Sequence, residues 1–560
     1  GAVEPRDGME PPHRPPARTD LLHCRQPTWQ PGRPRRRGSP CVTVASQSEG
    51  LARARGGTAG RAASGRRLPL ALVAASDPTS ALLREAVRRL APVLPLLTEL
   101  GARFQGAGHE IALVGGPVRD AFLGRVSPDL DLTTSARPEQ TEVILADWAD
   151  AHWDVGRAFG TIGARKLGHV VEVTTYRADA YDRTSRKPVV AFGDNLMDDL
   201  LRRDFTVNSM AMRLPSMEFV DPHGGLTDLA AKALRTPGAP EMSFADDPLR
   251  MMRAARFVSQ LGFSARPEVV AAMTEMAPSL KIVSAERIHD EFVKLIMGPA
   301  PRQGLALFVE TGLAAHVLPE LPALKLEVDE HHRHKDVYEH SLIVLEKAIA
   351  LEGPAGGPAS SVPGPDLVLR LAALLHDIGK PATRRFEDDG GVSFHHHEMV
   401  GAKLAARRLK AMRFDKETTK AVSRLIELHL RFHGYGGGEW TDSAVRRYIT
   451  DAGPLLSRLH RLTRSDCTTR NIRKAQSLSR IYDDLEIRIG ALMEQEQLDA
   501  VRPELDGNEI AEVLGISPGP VLGRAYKFLL AVRMDQGPIG HDAAVEALKA
   551  WWAGQPDSGR

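Results

Sequence analysis

Cysteine is scarce in this chain: there are three in 560 residues, and Cys24, Cys41 and Cys467 have the spacing of neither a disulfide framework nor a zinc site. No apolar run is long enough to cross a bilayer, and no continuous apolar segment follows a basic start as in a signal peptide. Excess charge is also lacking, because 73 Lys and Arg residues against 71 Asp and Glu give a formal net charge of +2. We therefore expect a cytoplasmic protein with reduced thiols and no membrane contact, on which any surface for nucleic acid is a local patch.

Lysine is absent from the first 75 residues, which are rich in Pro, Gly, Ser and Arg and show no hydrophobic periodicity. A segment of this composition cannot bury a core, so residues 1–78 are predicted to be a disordered extension. Its arginines could form a basic arm that attracts RNA, or the segment has no role. An organellar transit segment is disfavoured because acidic residues interrupt the stretch, at Asp7, Glu10, Asp20 and Glu49.

The length of the chain allows several domains with ample cores. After the extension, the pattern predicts a small α/β head over 79–215, a helical neck over 216–328, a second helical domain over 329–475 and a helical tail over 476–560. The expected fold class is α+β, in which a mixed sheet with helices precedes a largely helical body. Residues 80–108 are predicted to form one amphipathic helix at the start of the head.

A glycine pair, Gly115 and Gly116, stands in the run I-A-L-V-G-G-P-V-R-D-A-F-L-G at 111–124. The run predicts an apolar strand, a glycine turn and the start of a helix. Backbone N–H groups at such a turn and helix start can hold a phosphate. The head therefore contains a candidate phosphate site, with an ordinary strand–turn–helix as the alternative.

Two aspartates, Asp129 and Asp131, follow in the block S-P-D-L-D-L-T-T at 127–134. On a strand, residues two apart point to the same face. Two carboxylates on one face, beside a phosphate site, can hold a pair of Mg²⁺ ions for attack at phosphorus. A surface D-x-D motif is common by itself, and it is the glycine block upstream that favours the metal site.

These two blocks resemble the nucleotidyltransferases of the polymerase β-like superfamily. More closely, the chain resembles the class II bacterial CCA-adding tRNA nucleotidyltransferase and poly(A) polymerase family, over roughly residues 80–560. The resemblance implies a polymerase β-like nucleotidyltransferase head, tRNA, CTP and ATP as partners, and no stable protein partner. It also implies that the RNA 3′-hydroxyl attacks the α-phosphate between two Mg²⁺ ions bound by Asp129 and Asp131, and that pyrophosphate leaves. The nucleotide-binding residues that it implies in the glycine block are Gly115, Gly116, Arg119 and Asp120.

A third carboxylate is expected on a neighbouring strand of the head. The segment H-V-V-E-V-T-T-Y-R at 169–177 alternates and is rich in β-branched residues, which predicts a strand. Glu172 is the candidate for this carboxylate, and a solvated strand glutamate is the equal alternative. Arg177, at the end of the strand, could contact a triphosphate.

The block R-R-D-F-T-V-N-S-M-A at 202–211 matches the family's R-R-D-x-T-x-N-A, with Ser209 in place of the usual alanine. Arg203, Asp204 and Asn208 are its candidates for contacts with triphosphate and ribose, because arginine presents a planar fork to phosphate oxygens. If this segment is helical, Asp204 and Asn208, which are four apart, share one face. A capped helix start with a surface salt bridge is the alternative.

Base selection is assigned to A-D-D-P-L-R-M-M-R-A-A-R-F at 245–257, which resembles the family's E-D-P-L-R block. Cytosine and adenine share a donor amine beside an acceptor nitrogen, and uracil and guanine reverse both. The carboxylate of Asp247 beside the guanidinium of Arg250 matches the first two bases and opposes the other two. Arg253 and Arg256 continue the stripe and could contact phosphates. An ordinary salt bridge between residues three apart on a helix is the alternative.

CCA addition and poly(A) synthesis use nearly the same head. Poly(A) polymerases are expected to carry a basic G-[RK]-[RK]-F element, whereas this chain has G-R-A-F-G-T-I-G-A at 156–164 and no long basic tail. CCA addition is therefore the predicted activity, and poly(A) synthesis is the runner-up.

Five further blocks resemble, in order, the HD phosphohydrolase superfamily: Y-E-H-S-L (338–342), L-L-H-D-I-G-K (374–380), F-H-H-H-E-M-V-G-A (394–402), E-L-H-L-R (427–431) and R-S-D-C-T (464–468). Their candidate ligands are a mixed nitrogen and oxygen set that suits a divalent transition metal or Mg²⁺, and the identity of the metal stays open. The ligands at the first metal position are His340, His376, Asp377 and Asp466, and those that complete a second are His397 and His429.

An active HD site would hydrolyse phosphomonoesters or cyclic phosphates through a metal-activated water, with damaged tRNA 3′ ends as candidate substrates. Two alternatives remain. The helices could keep the fold while the site is idle, or the protein could be an HD phosphohydrolase whose head merely binds RNA. The other histidines of the region are interpreted as neighbours of the site and not as ligands: His331, His332, His334, His395 and His396.

Overall fold

A computed structural model of the protein describes residues 78–125, 127, 129–178, 191–325, 336–354, 362–388, 391–434, 440–467, 471–496 and 502–555. The predicted extension at 1–78 lies outside these residues, apart from Pro78. Other residues named above that lie outside them are Cys24, Cys41, His331, His332 and His334. Among the described residues, no helix combines the length and the apolar character needed to span a bilayer.

The segment predicted as one helix forms two helices, α1 (Pro78–Arg89) and α2 (Leu94–Gly106). Pro92 lies between them. It has no N–H to donate and its ring clashes with the preceding turn, so a helix cannot continue through it. The prediction of a single helix over 80–108 was therefore wrong.

The head is built around a seven-stranded sheet. Its elements after α2 are, in chain order, β1 (Ile111–Val114), α3 (Gly116–Phe122), β2 (Asp129–Thr134), α4 (Pro138–Ala146), β3 (Ala151–Trp153), β4 (Thr161–Lys166), β5 (His169–Thr175), β6 (Arg177–Ala178), β7 (Ala191–Phe192), α5 (Leu196–Leu201), β8 (Ala211–Leu214) and β9 (Glu218–Val220). The strand order is β3-β4-β5-β2-β1-β8-β9, and β6 pairs with β7 separately. Strands β2 and β5 are parallel, and the other neighbours in the sheet are antiparallel. The predicted mixed sheet is therefore confirmed.

Strand alternation gives the sheet two different faces. Leu130 and Leu132 of β2, with Val171 and Val173 of β5, are buried in the main core together with Trp148. The residues between them on the same strands point to the opposite face. That face is the one on which the acidic residues of the predicted site lie.

The predicted boundary at residue 215 falls inside a β-hairpin, because β9 pairs with β8 at the edge of the sheet. The sheet of the head therefore extends through Val220. Asp221 then fixes the turn into the neck, since its carboxylate accepts hydrogen bonds from the N–H groups of Gly225 at 2.7 Å and Leu226 at 2.9 Å.

The neck is mainly helical. Its elements are α6 (Gly225–Ala230), β10 (Ala233–Leu234), α7 (Pro240–Asp246), α8 (Leu249–Leu261), β11 (Ser264–Ala265), α9 (Pro267–Met276), α10 (Ala285–Ile296), α11 (Pro301–Glu310) and α12 (Leu313–Val317). Helix α8 packs between the head and helices α10 and α11. Gly304 allows α11 to approach α8 closely, because a Cβ there would lie 2.5 Å from the carbonyl oxygen of Ala255.

The second helical region and the tail complete the described chain. The prediction that both are largely helical is confirmed. The second region contains α13 (Val337–Ala350), α14 (Leu367–Leu375), α15 (Lys380–Thr383), β12 (Arg385–Phe386), β13 (Val392–Ser393), α16 (His397–Ala411), α17 (Lys416–Leu428), α18 (Asp442–Ala452) and α19 (Leu456–Asp466). The tail contains α20 (Ile472–Glu496), α21 (Gly507–Leu514), α22 (Pro520–Gln536) and α23 (His541–Ala553). Three helices begin after an aspartate that acts as the N-cap: Asp336, Asp366 and Asp415. Each side chain accepts a hydrogen bond from a backbone N–H in the first turn of its helix.

Candidate active site and metal centre

Three carboxylates meet on the polar face of the head sheet. In the parallel pairing of β2 with β5, Asp131 lies directly opposite Glu172, and Asp129 lies opposite Val170. Residues that face each other in a sheet point to the same side, and Asp129 shares that side by alternation. The structure thus brings together the three acidic residues that the sequence predicted.

The carboxylates repel one another in a partly dry setting. Burial raises the pKa of Asp131, an effect that Arg203 opposes and Asp129 reinforces. Burial likewise raises the pKa of Glu172, and the charges of Asp131 and Asp129 add to it. A cation between these oxygens would relieve the repulsion, so the residues present fit a divalent metal site.

The glycine turn brings an arginine to this site. Gly115 has φ 72° and precedes α3, a backbone conformation that side chains with a Cβ rarely adopt. A Cβ at Gly115 would lie 3.2 Å from Nη1 of Arg203 and 4.0 Å from Oδ2 of Asp131. A side chain at this position would therefore crowd the space between the arginine and the carboxylate.

Arg119 is held inside the protein by its neighbours. Its Nε and Nη2 donate to the carboxylate of Asp120 at 2.9 and 3.0 Å, and its Nη1 donates to Oδ1 of Asn208 at 2.7 Å. Its guanidinium also lies over the ring of Phe257, 5.4 Å from the centroid. This arrangement favours a role of Arg119 and Asp120 in shaping the glycine turn.

Asp204 connects the head to α8. Its buried carboxylate accepts hydrogen bonds from Nε of Arg253 at 2.8 Å, from Nδ2 of Asn208 at 3.0 Å and from the N–H of Phe205 at 2.8 Å. Burial alone would raise its pKa, but Arg253 and Asn208 hold the pKa of Asp204 well below its usual range. The predicted pair Asp204 and Asn208 is in direct contact through this bond.

Arg256 does not face the solvent. The residue is 8% exposed, and its Nη1 donates to Glu291 at 3.0 Å. Burial and the nearby Arg253 lower the pKa of Arg256 to about 10. A phosphate contact by Arg256, which the sequence had indicated, does not agree with this burial, because its guanidinium already pairs with Glu291 on α10.

Sequence reasoning missed Asp199, which holds the arginines of the site in place. Its Oδ2 accepts from Oγ1 of Thr133 and from Nη2 of Arg203, both at 3.2 Å. Its Oδ1 accepts from the backbone N–H of Arg177 at 3.3 Å, and Nη2 of Arg177 donates to the carbonyl of Phe159 at 2.6 Å. The signal was the spacing of four between Asp199 and Arg203.

The two residues assigned to base selection are held separately. Asp247 lies between α7 and α8, and its Oδ2 accepts from Nη2 of Arg287 at 2.7 Å. Arg250 donates from Nη1 to Oγ of Ser243 at 2.8 Å and from Nη2 to the carbonyl of Arg202 at 2.6 Å. Within the described chain, Asp247 and Arg250 form no salt bridge, because Oδ2 of Asp247 accepts from Arg287 and its Oδ1 accepts from the N–H of Leu249 at 3.1 Å.

A second cluster lies between α13, α14, α16, α17 and α19. It consists of two groups, and within each group the candidate ligand atoms lie within 4.8 Å of one another. The first group is His340, His376 and Asp466, and the second is Asp377, His397 and His429. The predicted ligands therefore meet, but Asp377 joins the second group. Nζ of Lys380, a residue that was not among the predicted ligands, lies 2.9 Å from Oδ2 of Asp377.

Three of these histidines are oriented by the backbone. The pairs are His376 Nδ1 with the carbonyl of Ala373 at 2.9 Å, His397 Nδ1 with that of Phe394 at 2.8 Å, and His429 Nδ1 with that of Ile426 at 2.6 Å. A carbonyl only accepts, so each Nδ1 carries a proton and each ring turns its Nε2 toward the cluster.

Among the described side chains, Nε2 of His397 and Nε2 of His429 are buried without a hydrogen-bond partner. Burial opposes a charge on His376, yet Asp377 and Asp466 raise its pKa to about 10. Burial and the neighbouring His376 lower the pKa of His429 to about 3. Ring nitrogens without hydrogen-bond partners, next to carboxylates whose negative charge favours a nearby cation, are suitable ligands for divalent metal ions.

His395 and His396 are exposed and take no part in either group, in keeping with their interpretation as neighbours. Cys467 follows Asp466 and is a free thiol. Trp551 stacks on Phe528 in the small core of the tail, with ring centroids 5.1 Å apart.

Comparisons with known proteins agree with this arrangement. Residues 111–235 match the model of the poly A polymerase head domain, residues 262–324 match that of the probable RNA and SrmB-binding site of polymerase A, and residues 337–469 match that of the HD domain.

Two curated relatives match over most of their length. The CCA-adding enzyme of Latilactobacillus sakei is 41% identical over 463 residues, which cover 82% of this chain and 98% of the relative. The A-adding tRNA nucleotidyltransferase of Deinococcus radiodurans is 33% identical over 456 residues, which cover 79% of this chain and 95% of the relative.

Solved structures share the fold. The CCA-adding enzyme of Bacillus stearothermophilus in complex with CTP superposes with a TM-score of 0.56 at 23% identity, covering 83% of this chain and 97% of that one. The Thermotoga maritima CCA-adding enzyme complexed with tRNA gives a TM-score of 0.53 at 19% identity, covering 84% and 98%. Because the two curated relatives are 41% and 33% identical over 98% and 95% of their own length, the chain belongs to the CCA-adding tRNA nucleotidyltransferase and poly(A) polymerase family, as its motifs predicted.

Proposed function

We propose that the protein adds CCA to the 3′ ends of tRNA, using CTP and ATP. The observation that carries the proposal is the alignment of Asp131 with Glu172 across parallel strands, with Asp129 on the same face and Arg203 beside them. The CCA-adding relative supports this choice, since it is 41% identical over 98% of its length.

The chain's own residues supply the surroundings of the reaction. When bound, two Mg²⁺ ions would neutralise the charge that develops on the α-phosphate and on the leaving pyrophosphate. Asp129 and Asp131 would hold these ions, and Glu172 would complete the oxygen set. Arg203 and Arg177 would contact the triphosphate. Asp199 holds the guanidinium of Arg203 and the backbone N–H of Arg177, and the carbonyl of Phe159 holds the guanidinium of Arg177.

Base choice rests on Asp247 and Arg250. The carboxylate accepts from the exocyclic amine of cytosine or adenine, and the guanidinium donates to the ring nitrogen beside it. Uracil and guanine would place a carbonyl oxygen against the carboxylate and a ring N–H against the guanidinium, so that acceptor faces acceptor and donor faces donor. The contacts with Arg287 and Ser243 support this role because they fix the two side chains without joining them to each other.

The proposal is tested with three tRNA transcripts that end at the discriminator base, at the first C and at the second C. Each is incubated with one NTP at a time, and the products are sequenced. CCA addition predicts CMP on the first two and AMP on the third. AMP on the third transcript alone would mean A addition, the activity in the name of the Deinococcus radiodurans relative. Long AMP runs would support the poly(A) alternative.

The second cluster supports a further function of phosphate hydrolysis. Its two groups of ligands, with buried Nε2 atoms that lack hydrogen-bond partners among the described residues, favour an occupied metal centre over an idle one. A bound divalent metal would activate water against a phosphomonoester or a cyclic phosphate. Metal analysis of the purified protein, followed by hydrolysis assays with Mg²⁺, Mn²⁺, Ni²⁺ or Co²⁺, tests both parts.

A further inference from the structure

Trp153 shares a row of the head sheet with the predicted catalytic carboxylates. Trp153 on β3 pairs with Gly163 on β4, Gly163 pairs with Glu172 on β5, and Glu172 pairs with Asp131 on β2. Residues that pair directly point to one side of a sheet. The indole therefore lies on the same face as the carboxylates, three strands from Asp131.

The absence of a side chain at Gly163 lets the indole lie flat toward the carboxylates. A Cβ at Gly163 would lie 2.1 Å from Nε1 and 2.3 Å from Cε2 of Trp153. The ring thus covers β4, one strand spacing of about 4.8 Å from Glu172 and roughly 10 Å from the strand of Asp131. Trp153 itself is partly exposed.

Among the described residues of the head, this part of the face is exposed. Farther along the same face, α5 covers β2 where Asp199 bonds to Thr133. Around Trp153, however, Glu172 and Arg165 are exposed. Arg165 also points to this face, since it pairs with Val170, which in turn pairs with Asp129. An aromatic ring and a cation on an open surface are the elements of a single-strand RNA platform.

Apart from Arg177, the groups assigned to the incoming nucleotide lie on the other side of the carboxylates. Arg177 follows the end of β5, five residues beyond Glu172, and so lies past the row that contains Trp153. Gly115 and Arg203 adjoin Asp131 next to β1, the neighbour of β2 on the side away from β5. Arg253 of α8 also approaches from there through Asp204. A transfer reaction needs its two substrates to reach the metal site from different directions. The side of β3 and β4 is therefore left for the acceptor.

We propose that Trp153 is the stacking platform for the base of the RNA 3′-terminal nucleotide, with Arg165 beside its phosphate, so that the 3′-hydroxyl is held near the carboxylates. This inference rests on the proposed nucleotidyl transfer. Stacking accepts every base, because each has a π face. That tolerance suits an acceptor whose last base changes after each addition.

The test combines a protein change with an RNA change. Wild type and Trp153→Ala are compared under single-turnover conditions on tRNA transcripts with a normal or an abasic 3′-terminal nucleotide. We expect either change alone to slow addition about tenfold and the two together to slow it no further, because both remove the same stack. Trp153→Phe should retain most of the rate. Losses that multiply in the double change would overturn the proposal.

Fluorescence supplies a readout that does not depend on activity. Stacking on the RNA end should quench the emission of Trp153 in the wild type and in Trp148→Phe, and not in Trp153→Phe. Trp148 is the matched control because it is only 2% exposed and lies in the core on the opposite face of the head sheet, where RNA cannot stack on it. Equal quenching in Trp153→Phe would sink the platform. A wild type that adds no nucleotide, yet shows the Trp153-dependent quenching, would instead sink the proposed function and leave the RNA platform standing.

Discussion

Asp131 and Glu172 lie directly opposite each other on two parallel strands, although they are 41 positions apart in the sequence. Parallel strands require a crossover between them, which here includes α4, β3 and β4. The pairing register, and not proximity in sequence, therefore completes the three-carboxylate set.

Asp131→Asn should abolish nucleotide addition and leave tRNA affinity nearly unchanged. The substitution removes a metal-binding charge and keeps the shape of the side chain. Single-turnover extension and a tRNA binding isotherm measure the two effects. Asp150→Asn is the matched control, because Asp150 is an exposed aspartate of the same domain that bonds to Lys166 and to the N–H of Leu167. Normal turnover in Asp131→Asn would contradict the metal assignment.

His376→Ala with Asp377→Ala should remove both the bound metal and the phosphohydrolase activity and spare nucleotide addition. Each residue contributes a ligand to a different group of the cluster, so neither metal position stays complete. Metal content is measured by elemental analysis, and hydrolysis with a 2′,3′-cyclic phosphate substrate. His395→Ala, at an exposed histidine outside both groups, is the control. A wild type without hydrolysis under any of the four metals would favour an idle site.

Asp247→Ala with Arg250→Ala should relax base discrimination more than it weakens triphosphate binding. Each lost charge-assisted hydrogen bond should cost the correct bases about 1.5–3 kcal/mol, and the wrong bases no longer face mismatched groups. UMP and GMP should then be added at rates approaching those of CMP and AMP, with all rates low.

The measurement for this pair is single-turnover extension with four separate NTPs, beside a melting curve. Arg287→Ala should give a milder version of the same loss, because it releases the carboxylate of Asp247 without removing it. A folded double variant with unaltered selectivity would remove Asp247 and Arg250 from base reading.

Asp204→Asn should destabilise the protein by about 3–5 kcal/mol at neutral pH, because it leaves the guanidinium of Arg253 without its main partner. The pKa of Asp204 is held below its usual range in the folded state, so its stabilising charge is fully present above the unfolded pKa of about 3.9. The difference in melting temperature from wild type should therefore stay constant at neutral and mildly acidic pH. Below about pH 4 it should shrink. A difference that instead grew on acidification would contradict the buried pair.

The sequence by itself determined the local chemistry. The glycine pair at Gly115 and the spacing of Asp129 and Asp131 specify a turn and a shared strand face, because both depend only on backbone geometry. The histidine and aspartate blocks likewise predicted residues that the fold brings together in the second cluster. Pro92 carried its own signal as well, and it was the assumption of one continuous helix that failed.

Only the tertiary structure decided which of these groups lie together in a site and which form contacts that stabilise the fold. Burial turned Arg256 from a candidate phosphate contact into a partner of Glu291. Packing of α5 made Asp199 the residue that holds Arg203, and strand register placed Trp153 beside Glu172. Such pairings join segments far apart in sequence, and their geometry depends on how helices and strands pack. A linear pattern therefore supplies the chemical groups, and packing decides which of them are free to act.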